Sequence, residues 1–486
     1  MTQLNEGTRH HLPESVAQPG YDRAAWAPGI VHLGIGAFHR AHQAVYTDDV
    51  LGRYGGDWRI IGVSLRGTAV RDALEPQDDL YTVNLCGDTT AQRRLIGAVA
   101  KVLAARDQPQ AVIDALADPS VRVVTLTITE KGYGLDPSGE RLDRTRTDVG
   151  ADLGGQWPPV TALGFLAHAL ERRRGSDLPG LTLISCDNLS GNGRKLKHAL
   201  LELCQTRNPR LADWIQSTCA FPCTMVDRIV PAARTEQLEQ LARTLGMTDA
   251  AAVFAEPFRQ WVIEHHFAGP VPPWDKVGAE FVNDVRPFEE MKLRLLNASH
   301  SMLAWIGVVA GIDTIADAVT VDSLWRMVTR YMHTEARPTL QLPPGYPYER
   351  YMEQLLMRFA NRALPHRTAQ IAVDSSQKLT QRLLPVLRWN LEHNGCIECA
   401  CLGIAAWLRY SQGIDEHGKA YAVDDPSTAA LAGSGQPLRA TAWSTALRPL
   451  FGDLFERHPR AATAVDAWLA AFERDGIVAA TERLHG

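Results

Sequence analysis

Lys292, Asn297 and His300 stand within residues 289–305, a run free of Pro and Gly that opens on Glu289 and Glu290 and is filled with good helix formers. An amine, an amide and an imidazole all make hydrogen bonds, and the amine and imidazole can also carry a proton. On a helix at 100° per residue, Asn297 lies roughly 140° round from Lys292 and His300 roughly 80°, so the three share one broad face. Lys292 and His300 are about 12 Å apart along the axis. Helical side chains lean toward the N-terminus and Lys has a long stem, so the two can approach each other. Leu293, Leu296 and Met302 mark an apolar side. The plain alternative is a surface lysine, a partly buried asparagine and a satisfied histidine; the helix by itself leaves both readings open.

Other polar candidates stand where strands end. Residues 30–33 form a short apolar strand, followed at once by Gly34-Ile35-Gly36-Ala37-Phe38-His39 and a helical run over 40–46. Strand, Gly-x-Gly turn and helix open a dinucleotide-binding fold: the first Gly permits the tight turn, and the second lets the backbone approach a pyrophosphate. The helix N-terminus then offers its N–H groups. His39 replaces the third Gly of the fingerprint, and an ordinary turn is the alternative. A second strand over 58–65 ends in Arg66-Gly67-Thr68, with no acid before Asp72. NAD versus NADP stays open, since Arg66 or Arg71 could meet a 2′-phosphate or be solvated loop charges.

Residues 80–85 are another strand candidate, and the β-branched run 122–129 is a strong one that ends in Glu130. A buried strand over 181–186 ends in Asp187-Asn188. Glu130 and Asn188 thus share the sheet edge that faces ligands in open α/β folds, against the alternatives of a loop acid and a turn-forming Asn. Residues 221–231 form an extended piece holding Asp227-Arg228. Past residue 285 the pattern turns mainly helical, with candidates over 292–309, 321–331, 348–360, 367–374, 377–394, 399–410 and two more near the C-terminus. His366-Arg367 and Lys378 add positive charge there, and 413–437 reads as an exposed connection. The expected class is α/β: a Rossmann-type domain with a parallel sheet over 1–284, then a helical substrate and catalytic domain over 285–486.

The chain of 486 residues exceeds one ordinary core. Its net charge of -5 gives no sign of nucleic acid or an anionic membrane as partner, although a few local Arg and Lys could hold a small anion. Residues 1–15 are polar, so no signal peptide is visible, and no apolar run reaches a membrane span; cytoplasm is the default. Cys396-x-x-Cys399-x-Cys401 resembles half a zinc site, but no second pair completes it, and buried thiols without metal are expected.

The motifs Gly34-Ile35-Gly36-Ala37-Phe38-His39-Arg40-Ala41-His42, Thr127-Ile128-Thr129-Glu130, Ser185-Cys186-Asp187-Asn188, Met225-Val226-Asp227-Arg228 and Lys292, Asn297, His300 together resemble the mannitol dehydrogenase family of long-chain polyol dehydrogenases. The resemblance implies a metal-free, NAD-dependent oxidoreductase, with Lys292 as general acid/base and Asn188, Asn297 and His300 around the reacting oxygen. Glu130 would pass protons to solvent, and Asp227, Arg228 and Lys378 would line the sugar pocket. Residues 256–261 and 366–378 look more like the fructuronate reductase branch, which implies reduction of D-fructuronate to D-mannonate. Arg367, Lys378 and Arg40 are then candidates for the substrate carboxylate. Ser375 departs from a Gly common at that place. Tagaturonate reductase and polyol dehydrogenases of the mannitol or arabinitol type are the alternatives, so the expected partner is a sugar acid or sugar alcohol. A monomer or small homo-oligomer is expected.

Overall fold

The computed structural model describes residues 2–87, 92–136, 138–364, 366–425, 439–440 and 444–485. The chain divides into two compact units, Met1–Arg286 and Pro287–Gly486.

The first unit is built on a five-stranded sheet of β1 (Pro28–Leu33), β2 (Arg59–Ser64), β3 (Val99–Ala104), β4 (Val123–Leu126) and β5 (Thr182–Ser185), in the order β3-β2-β1-β4-β5. Every neighbouring pair is parallel. β-branched and aliphatic residues bury both faces, as a parallel sheet requires. All five strands therefore end at one edge, which carries the turns after each strand. Within β1, His32 is fully buried and is satisfied by Thr125 Oγ1 (2.7 Å), Thr127 Oγ1 (3.0 Å) and Gly34 O (3.2 Å). Burial drives its pKa down to about 3, so the ring is neutral. His39, at the third fingerprint position, stacks on it at 3.4 Å.

The strand expected over 80–85 forms as Tyr81–Leu85, but it lies outside the dinucleotide sheet. It joins a separate four-stranded sheet, antiparallel to Gln92–Ile96 and parallel to Val253–Ala255. Thr224–Asp227 begins a third sheet with Gln260–Glu264 and Glu280–Val282.

The second unit is helical. Helices Ala298–Ala310 and Glu398–Tyr410 form its centre, with Met302, Leu303, Trp305, Ile306, Leu402, Ile404 and Trp407 at zero exposure. Gly403 permits the approach: a Cβ there would stand 2.9 Å from Met302 Cγ. Several expected helices differ in extent. The run over 377–394 splits into Ser375–Arg382 and Leu384–Glu392, because Pro385 starts a new helix rather than continuing one. The helix over 367–374 shrinks to Thr368–Ile371.

The connection expected over 413–437 is described as far as 425, and 426–437 lies outside the described residues. Its described part does more than connect. Asp425 is buried and accepts from Ser375 Oγ, Ser376 N and Ser376 Oγ, while Trp407 Nε1 donates to Ser375 Oγ (2.9 Å). The serine at the position of the common glycine thus carries a buried network.

Candidate active site

The regular α-helix expected over 289–305 is interrupted. An α-helical turn, Arg286–Met291, leads into a π-helical stretch, Lys292–Asn297, before the α-helix resumes at Ala298. The Ala298 N–H reaches Leu293 O, five residues back. In a turn closed by i→i+5 bonds, residues five apart stack as those four apart do in an α-helix. Lys292 and Asn297 are therefore aligned rather than roughly 140° apart. His300, three residues further in the α-helix, continues the same stripe. Lys292 and Asn297 are each only 9% exposed, and Nδ2 of Asn297 is buried with no partner among the described residues.

His300 Nε2 is likewise buried with no partner among the described residues, and so is His366 Nε2. The two rings are 5.4 Å apart, and His300 also stacks on Phe359 at 5.4 Å. The placement of His366-Arg367 follows from a close approach. A Cβ at Gly307 would meet Thr368 Cγ2 at 2.6 Å, so the missing side chain lets Thr368 dock. Thr368 Oγ1 then donates to Ile312 O (2.8 Å), and Ile315 N donates to His366 O (3.0 Å). Desolvation holds His300 well below the usual histidine range, and the like charges of His366, Arg382, Arg358 and Lys378 push the same way. His366 is lowered to about 4 by burial and then by Arg358. Neutral imidazoles with open nitrogens thus sit in a positive field.

Two expected carboxylate or sugar contacts in this unit part ways. The Arg367 side chain is exposed and has no partner among the described residues. Lys378 Nζ instead donates to Ile371 O (3.0 Å) and to Val373 O, which ties it to its own loop. Burial, then Arg382, lowers Lys378 to about 8. Arg382, unnoticed in the sequence, donates to Ser301 Oγ (2.8 Å) and Asn297 O (3.3 Å), bracing the helix that carries Asn297 and His300.

In the first unit the strand ends gather Gly34, Arg66, Glu130 and Asn188 at the C-terminal edge. Gly34 has φ +93°, and a Cβ there would stand 2.1 Å from Thr127 O, so only glycine fits. Gly36 is the N-cap of the short helix Ala37–Ala41, and a Cβ there would find only Gly34 O, at 3.8 Å. That open space over an exposed backbone fits a dinucleotide diphosphate. Ile35 turns inward: it is 2% exposed and packs where Gly62 leaves room, so only its backbone can serve a ligand. Ala37 and Phe38 are half-buried, and Phe38 stacks on His42 at 5.0 Å.

Glu130 and Asn188 are both exposed, and their turns are locked by Asp187. Its carboxylate accepts from Ile128 N (3.0 Å), Thr129 N (2.8 Å) and Tyr133 OH (2.6 Å). Thr129 is held at φ +65° by this clamp. Asn192 adds a second latch, donating to Asp187 O (3.0 Å) and Thr224 O (2.9 Å). Asp187 lies in the motif that carries Asn188, where its side-chain chemistry was the available signal, and Asn192 stands four residues beyond Asn188.

Asp227 and Arg228 are buried. Arg228 Nε and Nη2 donate to Glu256 O (3.0 and 2.9 Å) and Nη1 to Ala41 O, so the guanidinium joins backbone segments rather than facing a sugar. Arg40 is also committed inside this unit, donating to Ala251 O beside the Tyr81 ring, and does not offer a carboxylate contact. The 256–261 motif is structural in the same way: Arg259 pairs with Asp49 (2.7 Å) and covers the Tyr46 ring at 4.3 Å. Among the described residues no group of three or more His, Cys, Asp or Glu could hold a metal ion, and no helix is long and apolar enough to cross a membrane.

Residues 28–276 match the mannitol dehydrogenase Rossmann domain, and residues 284–469 the mannitol dehydrogenase C-terminal domain. The chain belongs to the mannitol dehydrogenase family and is an oxidoreductase. Among particular proteins, it is 43% identical over 463 residues to the D-mannonate oxidoreductase of Escherichia coli (strain K12), covering 94% of this chain and 95% of that protein. The solved mannitol 2-dehydrogenase of Pseudomonas fluorescens, in a ternary complex with NAD and D-mannitol, superposes with a TM-score of 0.86 at 35% identity, covering 100% of this chain and 99% of that one. A substrate-free D-sorbitol dehydrogenase superposes with a TM-score of 0.92 at 32% identity, over 99% of this chain and 100% of that one.

Proposed function

We propose that the chain catalyses the reversible, NAD(H)-dependent reduction of a ketose acid, D-fructuronate to D-mannonate. The observation that carries this reading is the second unit's set of open, buried polar atoms, Asn297 Nδ2, His300 Nε2 and His366 Nε2, under the positive charge of Arg358, Arg382 and Lys378. Such a field favours a substrate carboxylate over a neutral polyol. Likeness to the D-mannonate oxidoreductase points the same way.

The glycine turn at Gly34–Gly36 would hold the dinucleotide diphosphate, and when bound the dinucleotide supplies and takes back the hydride. Lys292 donates the proton to the oxygen during reduction and accepts it during oxidation. Asn188 and Asn297 are assigned as amide donors to the charge that grows on that oxygen, and such a donor contributes roughly 3–4 kcal/mol where water is excluded. His300, neutral, orients a substrate hydroxyl through Nε2. Glu130, at the exposed edge, passes protons to solvent. Asp227 lines the sugar site, whereas Arg228 and Lys378 support it by holding backbone. Arg367, with its guanidinium free, takes the carboxylate in a bidentate contact.

The test follows NADH absorbance with fructuronate, tagaturonate and fructose in parallel. The highest kcat/KM is expected with fructuronate. A clear preference for fructose would instead assign a mannitol-type polyol dehydrogenase, and a preference for tagaturonate would assign the sister uronate.

A further inference from the structure

The ends of β2 and β3 carry an unbalanced set of charges. Ser64 and Ala104 are register partners, and Ala105 N donates to Ser64 O (2.8 Å), which carries the pairing past both strands. Arg66 and Arg106 each stand two residues beyond those partners, on the ligand edge of the sheet. Both are exposed, and neither side chain has a partner among the described residues. Arg71 is different: it binds Asp107 (2.9 Å) and Asp72 (2.9 Å), and Asp72 also accepts from Thr68 Oγ1 (2.6 Å). Over 64–72 and 104–108 there are three arginines and two aspartates, and both aspartates are engaged by Arg71. Between them Gly67 leaves open space, for a Cβ there would meet nothing within 4 Å.

In this fold the end of the second strand reads the adenosine ribose: an acid there accepts from the 2′-hydroxyl, and an arginine accommodates a 2′-phosphate. Here the acids are committed and two guanidinium groups are not. We infer that the dinucleotide site accepts a 2′-phosphate, held by Arg66 and Arg106, so that this phosphate adds to the affinity for the dinucleotide. Guanidinium suits the task because its planar fork meets phosphate oxygens in pairs. The inference rests on the dinucleotide reading of the Gly34–Gly36 turn and is independent of which sugar is reduced.

Calorimetric titration of the full chain with 5′-AMP and with 2′,5′-ADP isolates the one phosphate. The 2′,5′-ADP is expected to bind about tenfold more tightly, or better, and added salt should shrink that preference. In the R66A/R106A double variant the two nucleotides should bind about equally, with 5′-AMP affinity unchanged within about twofold. R66K/R106K should keep part of the preference, since charge remains and the fork does not. Equal binding of both nucleotides to the unaltered chain, or a preference that survives R66A/R106A, overturns the inference. Failure of both nucleotides to bind overturns it together with the dinucleotide reading, whereas loss of the preference alone leaves that reading standing.

Discussion

The two glycines of the first turn should respond in opposite ways to the same added methyl group. At Gly34 an ideal Cβ would sit 2.1 Å from Thr127 O and 2.9 Å from Thr127 C, at φ +93°. That backbone cannot easily retreat, because Thr127 N donates to Leu33 O (3.0 Å) and Thr127 Oγ1 donates to Gly34 O (2.8 Å). Gly34→Ala therefore combines a disfavoured backbone conformation with a clash against the neighbouring strand end, together about 3 kcal/mol or more. At roughly 2–4 °C per kcal/mol for a domain of this size, melting of the first unit should fall by about 6–12 °C. At Gly36 the Cβ would meet only Gly34 O, at 3.8 Å. The loss of a glycine N-cap costs about 1 kcal/mol or less, so Gly36→Ala should melt close to the unaltered chain. The methyl group would nonetheless enter the space through which a diphosphate approaches the backbone, and NADH affinity should fall about tenfold or more. Differential scanning calorimetry and NADH fluorescence titration on the two variants read both effects. Unchanged NADH affinity in Gly36→Ala would remove this turn from the cofactor site, and an unchanged melting point in Gly34→Ala would contradict the clash.

Lys292→Ala should abolish turnover while leaving NADH binding intact; near-normal rates across pH would deny Lys292 its proton-transfer role. Arg367→Ala should raise KM for a uronate about tenfold while moving KM for a neutral ketose much less, because only the uronate forms the charge-assisted pair; equal shifts would place the carboxylate elsewhere. Asp187→Asn removes one of two accepting oxygens from three donors, so it should destabilise the first unit by about 2–3 kcal/mol and lower kcat more than it raises KM; a pure stability loss with normal kcat would make the clamp merely structural. His366 is held near 4 against an ordinary 6.5, so the fold keeps its neutral form. Its contribution, up to about 3 kcal/mol, is fully present above pH 6.5 and is lost as pH falls through about 4. Denaturant melts between those limits should show a shallower acid decline in His366→Gln.

The dinucleotide half announced itself because its signals are local. The β-branched run over 122–129 can only sit well in a sheet, and the Gly-x-Gly turn follows its strand without a gap. The sheet to which residues 81–85 belong was hidden, since it depends on pairing with Val253–Ala255 far along the chain. Chemistry-bearing residues were visible by type, but not by what already occupies them. Arg228 reaches Glu256 and Ala41, and Lys378 reaches Ile371 and Val373; all of these acceptors are backbone carbonyls that composition cannot reveal. Arg106 became interesting only through its register with β2. The break at Pro385 was available, because proline favours the first turn of a helix over its interior. The π turn was not available: Leu293 to Leu296 are ordinary helix formers, and nothing among them marks a wider coil.

That wider coil makes the amine's alignment a matter of backbone winding rather than residue identity. Straightening this stretch into ordinary α-helix with no residue lost would swing Asn297 and His300 about 100° away from Lys292, with every polar side chain still present, whereas deleting one position between Leu293 and Leu296 would set Lys292 and Asn297 four apart and keep them aligned. Catalytic competence in this helix is therefore written in its coil, and a chain with the full trio at the same spacing on a regular α-helix would present it to different surroundings.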